Sequence, residues 1–323
     1  MGLKATHTAI WLVVAVCAAS AALHADSPPT RRSQEESSGR GKRLTLDDIL
    51  PDDYEIKTIG QGYGFCEGPA ADAAGNVYFS DGKNNSIYFY EIGKPVRKWA
   101  GDSLDANGMM FNKRGELLVC EGAAFRVVAF DLRTKEKRPL ISTFEGKRFN
   151  EPNDLTIDST CGFYFTDPNY RHRGQETVRH EDAYYVSAKG EIQRISDACQ
   201  KPNGIHLSAD EKWLYLCDNR GQCVYRYAVE GPGKVSGEEK WLDLGAHPDG
   251  MTLDAAGNSY IACGGAGVKV YSKDGELIGI IPVEYASNVV FGERDFRTLF
   301  ITSRNKFLAI ETKVEGLRPL PVR

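Results

Sequence analysis

One phrase recurs six times in the chain, and each copy joins a polar turn to a short run of strand-forming residues. The first two copies read DAAGNVYFSD and NKRGELLVCE. The six copies open at Asp72, Asn112, Asp158, Ser208, Asp254 and Glu293, which are 39 to 50 residues apart. Repeats of about 40–50 residues with several short strands are typical of β-propeller blades. The sequence therefore predicts an all-β fold, a six-bladed β-propeller.

A second strand-forming segment can be found in each unit, for example NSIYFYE at 85–91 and FRVVAFDL at 125–132. In the first of them Ile87 and Phe89 alternate with neighbouring tyrosines, and this period of two indicates strands rather than helices. Residues 54–60 precede the first phrase and are expected to pair with the last blade. Such a pairing would close the circle and hide an exposed sheet edge.

A polar side chain lies five residues before every phrase. A constant offset in a repeated unit places these residues at equivalent positions, so we expect a ring of oxygen-bearing side chains in the central channel. Glu67 and Asp249 would repel each other there without a cation. The ring is therefore predicted to bind a hard metal ion, and its members are Glu67, Asn107, Asn153, Asn203, Asp249 and Asn288.

The N-terminus reads as a targeting segment. Residues 1–25 combine Lys4 with an apolar core and small residues, and cleavage is expected after Ala21, Ala22 or Ala25. An uncleaved membrane anchor is the alternative. Residues 26–44 are predicted to be a disordered spacer, and residues 45–323 a single propeller domain. The protein is expected to be periplasmic or secreted, free of the membrane after cleavage, and a monomer or homodimer.

The charge and the cysteines limit the partners and metals. A formal net charge of −4 argues against nucleic acid as a partner. Of the eight cysteines, Cys17 lies in the predicted leader, and the other seven cannot all pair within one chain. Cys217 and Cys223 flank a hairpin turn and are candidates for a disulfide. No CxxC pair exists, which argues against a structural zinc site.

Four motifs occur in a fixed order: Glu-Gly-Pro at 67–69, Pro-Asn-Asp at 152–154, Pro-Asn-Gly at 202–204 and Pro-Asp-Gly at 248–250. Over about residues 55–311 the chain resembles the gluconolactonase, regucalcin and senescence-marker-protein family of six-bladed propellers, and most of all its bacterial gluconolactonases. This resemblance implies a divalent cation, usually calcium, with Glu67, Asn203 and Asp249 as ligands. Asn153 would bind it directly or through water. Glu151 stands where regucalcin-type members have a sugar-binding arginine.

The ring chemistry suits a lactone hydrolase. Two carboxylates and two amides offer the oxygen ligands that calcium prefers; magnesium, manganese and zinc are the alternatives. A bound cation polarises a lactone or ester carbonyl, and a base must then take a proton from the attacking water. Asp249 is the predicted catalytic residue, as that base or as a direct nucleophile. The predicted substrate-binding residues are Asn107, Asn153, Asn288, Tyr170 and His247.

Other readings remain open. Asn107 and Asn203 precede glycine and could serve only to shape a turn. Asn107 and Asn288 could only line the channel. The segment 171–182 is expected to cover one face of the channel, and Asp167 and Asp218 to line its mouth. The predicted function is calcium-dependent hydrolysis of a small-molecule lactone. The alternatives are a non-catalytic binding propeller with a structural calcium, and a hydrolase of organophosphates or aryl esters that uses the same metal.

Overall fold

Each of the six repeats forms a four-stranded antiparallel sheet in the computed structural model, which describes residues 43–171 and 180–320. The prediction of an all-β, six-bladed propeller is therefore confirmed. The predicted leader, residues 1–25, and residues 26–42 of the predicted spacer lie outside the described residues. Within the described part of the chain, no helix is both long and apolar enough to span a membrane.

The strands are numbered in chain order. They are β1 (Lys57–Gln61), β2 (Cys66–Ala71), β3 (Val77–Asp81), β4 (Ser86–Tyr90), β5 (Arg97–Gly101), β6 (Ala106–Phe111), β7 (Leu117–Glu121), β8 (Arg126–Phe130), β9 (Lys137–Ile141), β10 (Thr143–Phe144), β11 (Lys147–Arg148), β12 (Leu155–Ile157), β13 (Phe163–Thr166), β14 (Ala183–Val186), β15 (Ile192–Ser196), β16 (Pro202–Leu207), β17 (Trp213–Asp218), β18 (Cys223–Gly231), β19 (Lys234–Asp243), β20 (Met251–Leu253), β21 (Ser259–Ala262), β22 (Val268–Tyr271), β23 (Leu277–Ile281), β24 (Asn288–Gly292), β25 (Thr298–Ser303) and β26 (Lys306–Glu311). The helical elements are α1 (Leu46–Ile49) and the 3₁₀ turns Gly82–Asn84 and Gly122–Ala124.

Five blades use consecutive strands. Blade 1 is β2–β5, blade 2 is β6–β9, blade 3 is β12–β15, blade 4 is β16–β19 and blade 5 is β20–β23, whereas β10 and β11 form a separate short hairpin. Blade 6 consists of β24, β25 and β26 with β1 outermost. Each innermost strand contacts the innermost strands of both neighbouring blades, and the cycle closes between β24 and β2. The six innermost strands therefore surround one central channel.

Strand β1 closes the ring. It runs antiparallel to β26, with Lys57 opposite Ala309 and Gln61 opposite Lys306. The expected pairing of the segment before the first phrase with the last blade is thus confirmed. Because β1 comes from the start of the propeller and the rest of blade 6 from its end, main-chain hydrogen bonds join the two ends of the domain and leave no gap between blades.

The segment before β1 packs on the outside of the ring. Asp48 and Thr45 form a capping box at the start of α1, and Ile49 is buried in an apolar cluster that includes residues of blades 1, 5 and 6. Arg43 donates a hydrogen bond to the carbonyl of Leu277. The described end of the predicted spacer therefore already contacts the propeller.

Apolar side chains fill the spaces between neighbouring blades. Phe79 of blade 1 stacks on Phe307 of blade 6 with ring centroids 4.3 Å apart, and Phe300 stacks on Phe307 at 5.3 Å. Every residue of β3 is buried, because a blade sheet is covered on both faces by its neighbours. This explains why the second strand of each unit reads as a nearly continuous apolar run.

The predicted disulfide between Cys217 and Cys223 is not formed, so this prediction is wrong. All seven cysteines of the described residues have free thiols. Cys217 lies opposite Val224 in the sheet, and both belong to the apolar cluster between blades 4 and 5. Cys223 is the residue before Val224, and successive strand residues point to opposite faces. Cys217 and Cys223 therefore face opposite sides of blade 4.

Gly250 offers a test of how tightly the innermost strands converge. A Cβ atom at Gly250 would lie 1.9 Å from Cγ of Asn288, in the next blade. We expect Gly250→Ala to lower the free energy of unfolding by about 1–3 kcal/mol, as overpacking does in a rigid core. Gly265→Ala is the matched control, because a Cβ there meets nothing within 4 Å. Denaturant unfolding measures both, and equal stabilities of the two variants would contradict this packing.

Candidate active site

The six predicted ring residues lie at the same end of the channel. Glu67, Asn107 and Asn203 are the second residues of β2, β6 and β16, and Asn288 is the first residue of β24. Asn153 and Asp249 lie two residues before β12 and β20. Since these strands surround the channel and run in the same direction through it, the constant offset in the sequence becomes a ring in space.

Irregular strand pairing accompanies the ring residues except Asn288, which lies regularly opposite Thr302. The register of β2 against β3 shifts between Glu67 and Ala70. The same kind of shift separates Ala106 from Met109 in blade 2 and Pro202 from Ile205 in blade 4. A bulge leaves residues unpaired and turns a side chain away from its regular direction, and bulges are common beside active sites. In blades 3 and 5 regular pairing begins only after the ring residue, which has the same effect.

Glycines next to the ring let adjacent blades approach closely. The N–H of Gly108 donates to the carbonyl of Asn153 at 2.7 Å, and that of Gly204 donates to the carbonyl of Asp249 at 3.0 Å. A Cβ at Gly204 would lie 2.4 Å from the same Asp249 oxygen. The glycine after the ring residue is therefore required by the main chain of the next blade in blades 1, 2 and 4, and by the Asn288 side chain in blade 5.

Blade 3 departs from this pattern, because Asp154 follows Asn153 where four other blades have glycine. One Asp154 oxygen accepts the N–H of Leu155 at 2.9 Å. The other accepts a bond of 3.4 Å from Nδ2 of Asn288, which belongs to the opposite blade. Asp154 thus adds a third carboxyl group to the channel. Asp154 was not among the predicted site residues, although the break in the glycine pattern was a visible signal.

The channel carboxyls perturb one another. Burial raises the pKa of Glu67 well above its usual value, and the charge of Asp249 raises it further. Burial likewise raises the pKa of Asp249 to about 7, with a smaller contribution from Asp154 and an opposing hydrogen bond to Asn203. The pKa of Asp154 is raised to about 7 by burial. Removing several ionised carboxylates from water is costly unless a cation compensates.

The donor set fits a hard divalent cation. Among residues 43–171 and 180–320, no three side chains of His, Cys, Asp or Glu gather at one point as metal ligands would. A cation would therefore be held by a mixed set, the carboxylates of Glu67 and Asp249 with the amide oxygens of Asn153 and Asn203. Such oxygen ligands suit calcium, magnesium or manganese better than zinc.

Tyr170 reaches the ring from an insertion. The connection from β13 to β14 is the long one in blade 3, and its first part carries Tyr170 over blade 4. Nδ2 of Asn203 donates to the Tyr170 hydroxyl at 2.8 Å. Nζ of Lys201 lies over the aromatic ring of Tyr170, 5.0 Å from its centroid. Burial raises the pKa of the Tyr170 phenol well above its usual value, and Asp249 adds to this. The hydroxyl therefore stays protonated at neutral pH.

Glu151 fixes the same insertion. Its carboxylate accepts the main-chain N–H groups of Tyr170 at 3.2 Å and Arg171 at 2.8 Å, and it pairs with the Arg171 guanidinium at 2.8 Å. The guanidinium also pairs with Asp105 of blade 2 at 2.6 Å. In this chain Glu151 stands where regucalcin-type proteins have an arginine, and Arg171 is paired with Glu151. The predicted cover over one face of the channel, the segment 171–182, falls mostly on residues 172–179, which lie outside the described residues.

Two further residues border the mouth. His247 is exposed, and its Nδ1 lies 2.8 Å from the carbonyl of Asn219 in blade 4. Tyr285 was not singled out in the sequence, and no pattern in the repeat marks it. Burial raises the pKa of Tyr285, and the charges of Asp249 and Glu67 contribute next, so its phenol lies near both carboxylates.

The chain belongs to the family defined by the SMP-30/Gluconolactonase/LRE-like region, whose model matches residues 65–305. The gluconolactonase of Zymomonas mobilis is 28% identical over 304 residues, which cover 84% of this chain and 85% of that protein. The pentonolactonase of Haloferax volcanii is 31% identical over 127 residues, 37% of this chain and 44% of that protein. A gluconolactonase structure from Xanthomonas campestris superposes with a TM-score of 0.77 at 26% identity and covers 84% of this chain and 94% of its own. The predicted family is thus confirmed.

The raised carboxyl pKa values predict how pH changes stability. Asp154 and Asp249 keep their protons up to a pKa of about 7 in the folded protein, whereas unfolded aspartate loses them near 4. The chelated protein should therefore lose stability as pH rises from about 4 to 7. Calcium should raise the melting temperature more at pH 8 than at pH 5.5.

Calorimetry at constant ionic strength measures this difference. In the Asp249→Asn variant one of the titrating groups is removed, so the pH dependence of the chelated protein should become weaker. A chelated wild-type protein that is as stable at pH 8 as at pH 5.5 would contradict the raised pKa values.

Proposed function

We propose that this protein is a metal-dependent hydrolase of lactones, with calcium as the preferred ion. One observation carries the proposal: two carboxylates and two amides lie at one end of the channel, and the pKa of Glu67 is raised by burial and then by the neighbouring charge of Asp249. Family membership and the names of two relatives, a gluconolactonase and a pentonolactonase, support lactones as the substrate class.

Glu67, Asn153, Asn203 and Asp249 would hold the ion. When bound, a divalent cation supplies a Lewis acid that polarises the lactone carbonyl. Asp249 is half-buried, whereas Glu67 is buried, so of the two carboxylates Asp249 is the one assigned to meet the attacking water. It takes a proton from the attacking water as general base. Direct attack by Asp249 on the carbonyl is the competing role.

Tyr170 and Asn203 organise the substrate side of the ring. The bond from Asn203 to the Tyr170 hydroxyl uses that oxygen as acceptor and leaves the phenolic proton available. The Tyr170 hydroxyl can therefore donate to an oxygen of the substrate, where developing negative charge is stabilised. Asn107 lines the same ring from blade 2 and is proposed to bind a substrate hydroxyl.

An experiment with a panel of sugar lactones tests the function. We expect turnover that is lost on chelation and restored by calcium. Asp249→Asn should lower kcat/KM by at least about 100-fold, within the range typical of general base catalysis. Asp254→Asn is the matched control, because Asp254 lies in the same blade but accepts hydrogen bonds within a hairpin turn. Its turnover should stay near that of the wild type.

The same assay separates the alternatives. Full activity after metal removal, verified by elemental analysis, would refute metal dependence. A melting temperature that depends on calcium, without turnover of any lactone, would favour a non-catalytic binding propeller. Turnover of aryl esters or organophosphates in place of lactones would favour the related hydrolase.

We also propose that the protein is exported through residues 1–25 and acts in the periplasm or outside the cell. Intact-mass measurement of protein recovered from these compartments should give an N-terminus after Ala21, Ala22 or Ala25. Recovery of the full-length chain with the membrane fraction would indicate an uncleaved anchor instead.

A further inference from the structure

Three buried carboxylates repeat one contact behind the ring. Asp81, Asp167 and Asp218 are the last residues of the repeated phrases in blades 1, 3 and 4. All three are buried, so neither Asp167 nor Asp218 lines the mouth as expected. Each accepts hydrogen bonds from two consecutive main-chain N–H groups in the loop that leads into the innermost strand of its own blade.

The bond lengths agree closely among the three blades. Asp167 accepts from Asn150 and Glu151, both at 2.8 Å. Asp81 accepts from residues 64 and 65 at 2.9 and 3.0 Å, and Asp218 from residues 200 and 201 at 2.9 and 3.0 Å. Each carboxyl group accepts the first N–H with one oxygen and the second N–H with the other, so it clamps two consecutive residues of its loop.

Each clamp acts at the same distance from a ring residue. The second N–H donor always lies two residues before the ring residue: Phe65 before Glu67, Glu151 before Asn153, and Lys201 before Asn203. Only one residue separates the clamped residue from the ring residue, and the main chain beyond is bonded to the neighbouring blade. The main chain between these two fixed points therefore has little freedom to rotate. The clamp therefore restricts where the ring oxygen can lie.

The other blades have different residues at this position. Glu121 of blade 2 pairs with Arg126 at 2.7 Å and Lys137 at 2.6 Å. Blades 5 and 6 have Cys263 and Ser303. The carboxylate clamp thus occurs in the three blades that contribute Glu67, Asn153 and Asn203, the proposed ligands other than Asp249.

We propose that Asp81, Asp167 and Asp218 are positioning residues, which hold the loops of three metal ligands so that their oxygens are arranged before the cation binds. The inference rests on the proposed metal centre. It adds a set of residues, outside the ring, that determine the affinity of the site by reducing the conformational freedom of the ligands.

Asp167→Asn tests the clamp with almost no change in volume. The amide keeps one acceptor oxygen, but its NH₂ group faces the second N–H, so one of the two bonds is lost. We expect the calcium Kd to rise at least about tenfold. Excess calcium should restore kcat in this variant, whereas it should not restore kcat in Asp249→Asn. Titration calorimetry and kinetics on the full chain provide these values.

Asp158→Asn is the matched control. Asp158 is also buried in blade 3 and accepts the N–H groups of Thr160 and Gly162, but it lies in the hairpin at the other end of the strands. We expect a comparable fall in melting temperature with a calcium Kd within about threefold of the wild type. An equal rise of the calcium Kd in Asp167→Asn and Asp158→Asn would show that Asp167 acts only through the stability of the fold. That result would overturn the proposal.

An unchanged calcium Kd in Asp167→Asn would also overturn it. If that variant does not fold, Asp218→Asn and Asp81→Asn test the same contact in blades 4 and 1, with the same expected rise in Kd. A wild-type protein that binds no calcium, magnesium or manganese would refute the proposed metal centre itself. That result appears in the first titration, before any variant is made, so the two failures are distinguishable.

Discussion

The pairing of β1 with β26 is the constraint on which the architecture depends. Six blades built on successive innermost strands would otherwise form an open arc with a free edge at each end. The hydrogen-bonded ladder of β1 and β26, in which Lys57 lies opposite Ala309, joins the two ends of the domain. A closed circle forces the six innermost strands towards one axis. The ring of polar side chains exists only because of that convergence.

Convergence also explains the chemistry of the channel. Glycines such as Gly204 let neighbouring main chains approach closely, and the bulged strand starts turn polar side chains towards the axis. Glu67, Asp154 and Asp249 are thereby removed from water, and their pKa values rise. The fold holds carboxylates where they are costly without a cation. The clamps behind the ring keep three of the proposed ligands from relaxing away from this arrangement.

Much of this could be predicted, because a repeat converts sequence spacing into geometry. The number of blades followed from the repeated phrase, and the common position of Glu67 and Asp249 followed from a constant offset. Contacts between units could not be read in the same way. Asp154 meets Asn288 across the channel, and their separation along the chain gives no sign of it. The candidate disulfide failed because proximity across a hairpin turn does not ensure that two side chains share a face.

The repeat, the strands and the types of oxygen donor in each blade can all be read from the order of the amino acids. The tertiary structure decided which of these donors meet, since only ring closure brings blades 1, 3, 4 and 5 to one axis. It also decided the roles of Asp167 and Asp218, which look in the sequence like channel residues but are buried behind it as acceptors for main-chain N–H groups. The physical reason is that hydrogen bonding and desolvation depend on distances across the ring, which local sequence patterns do not contain.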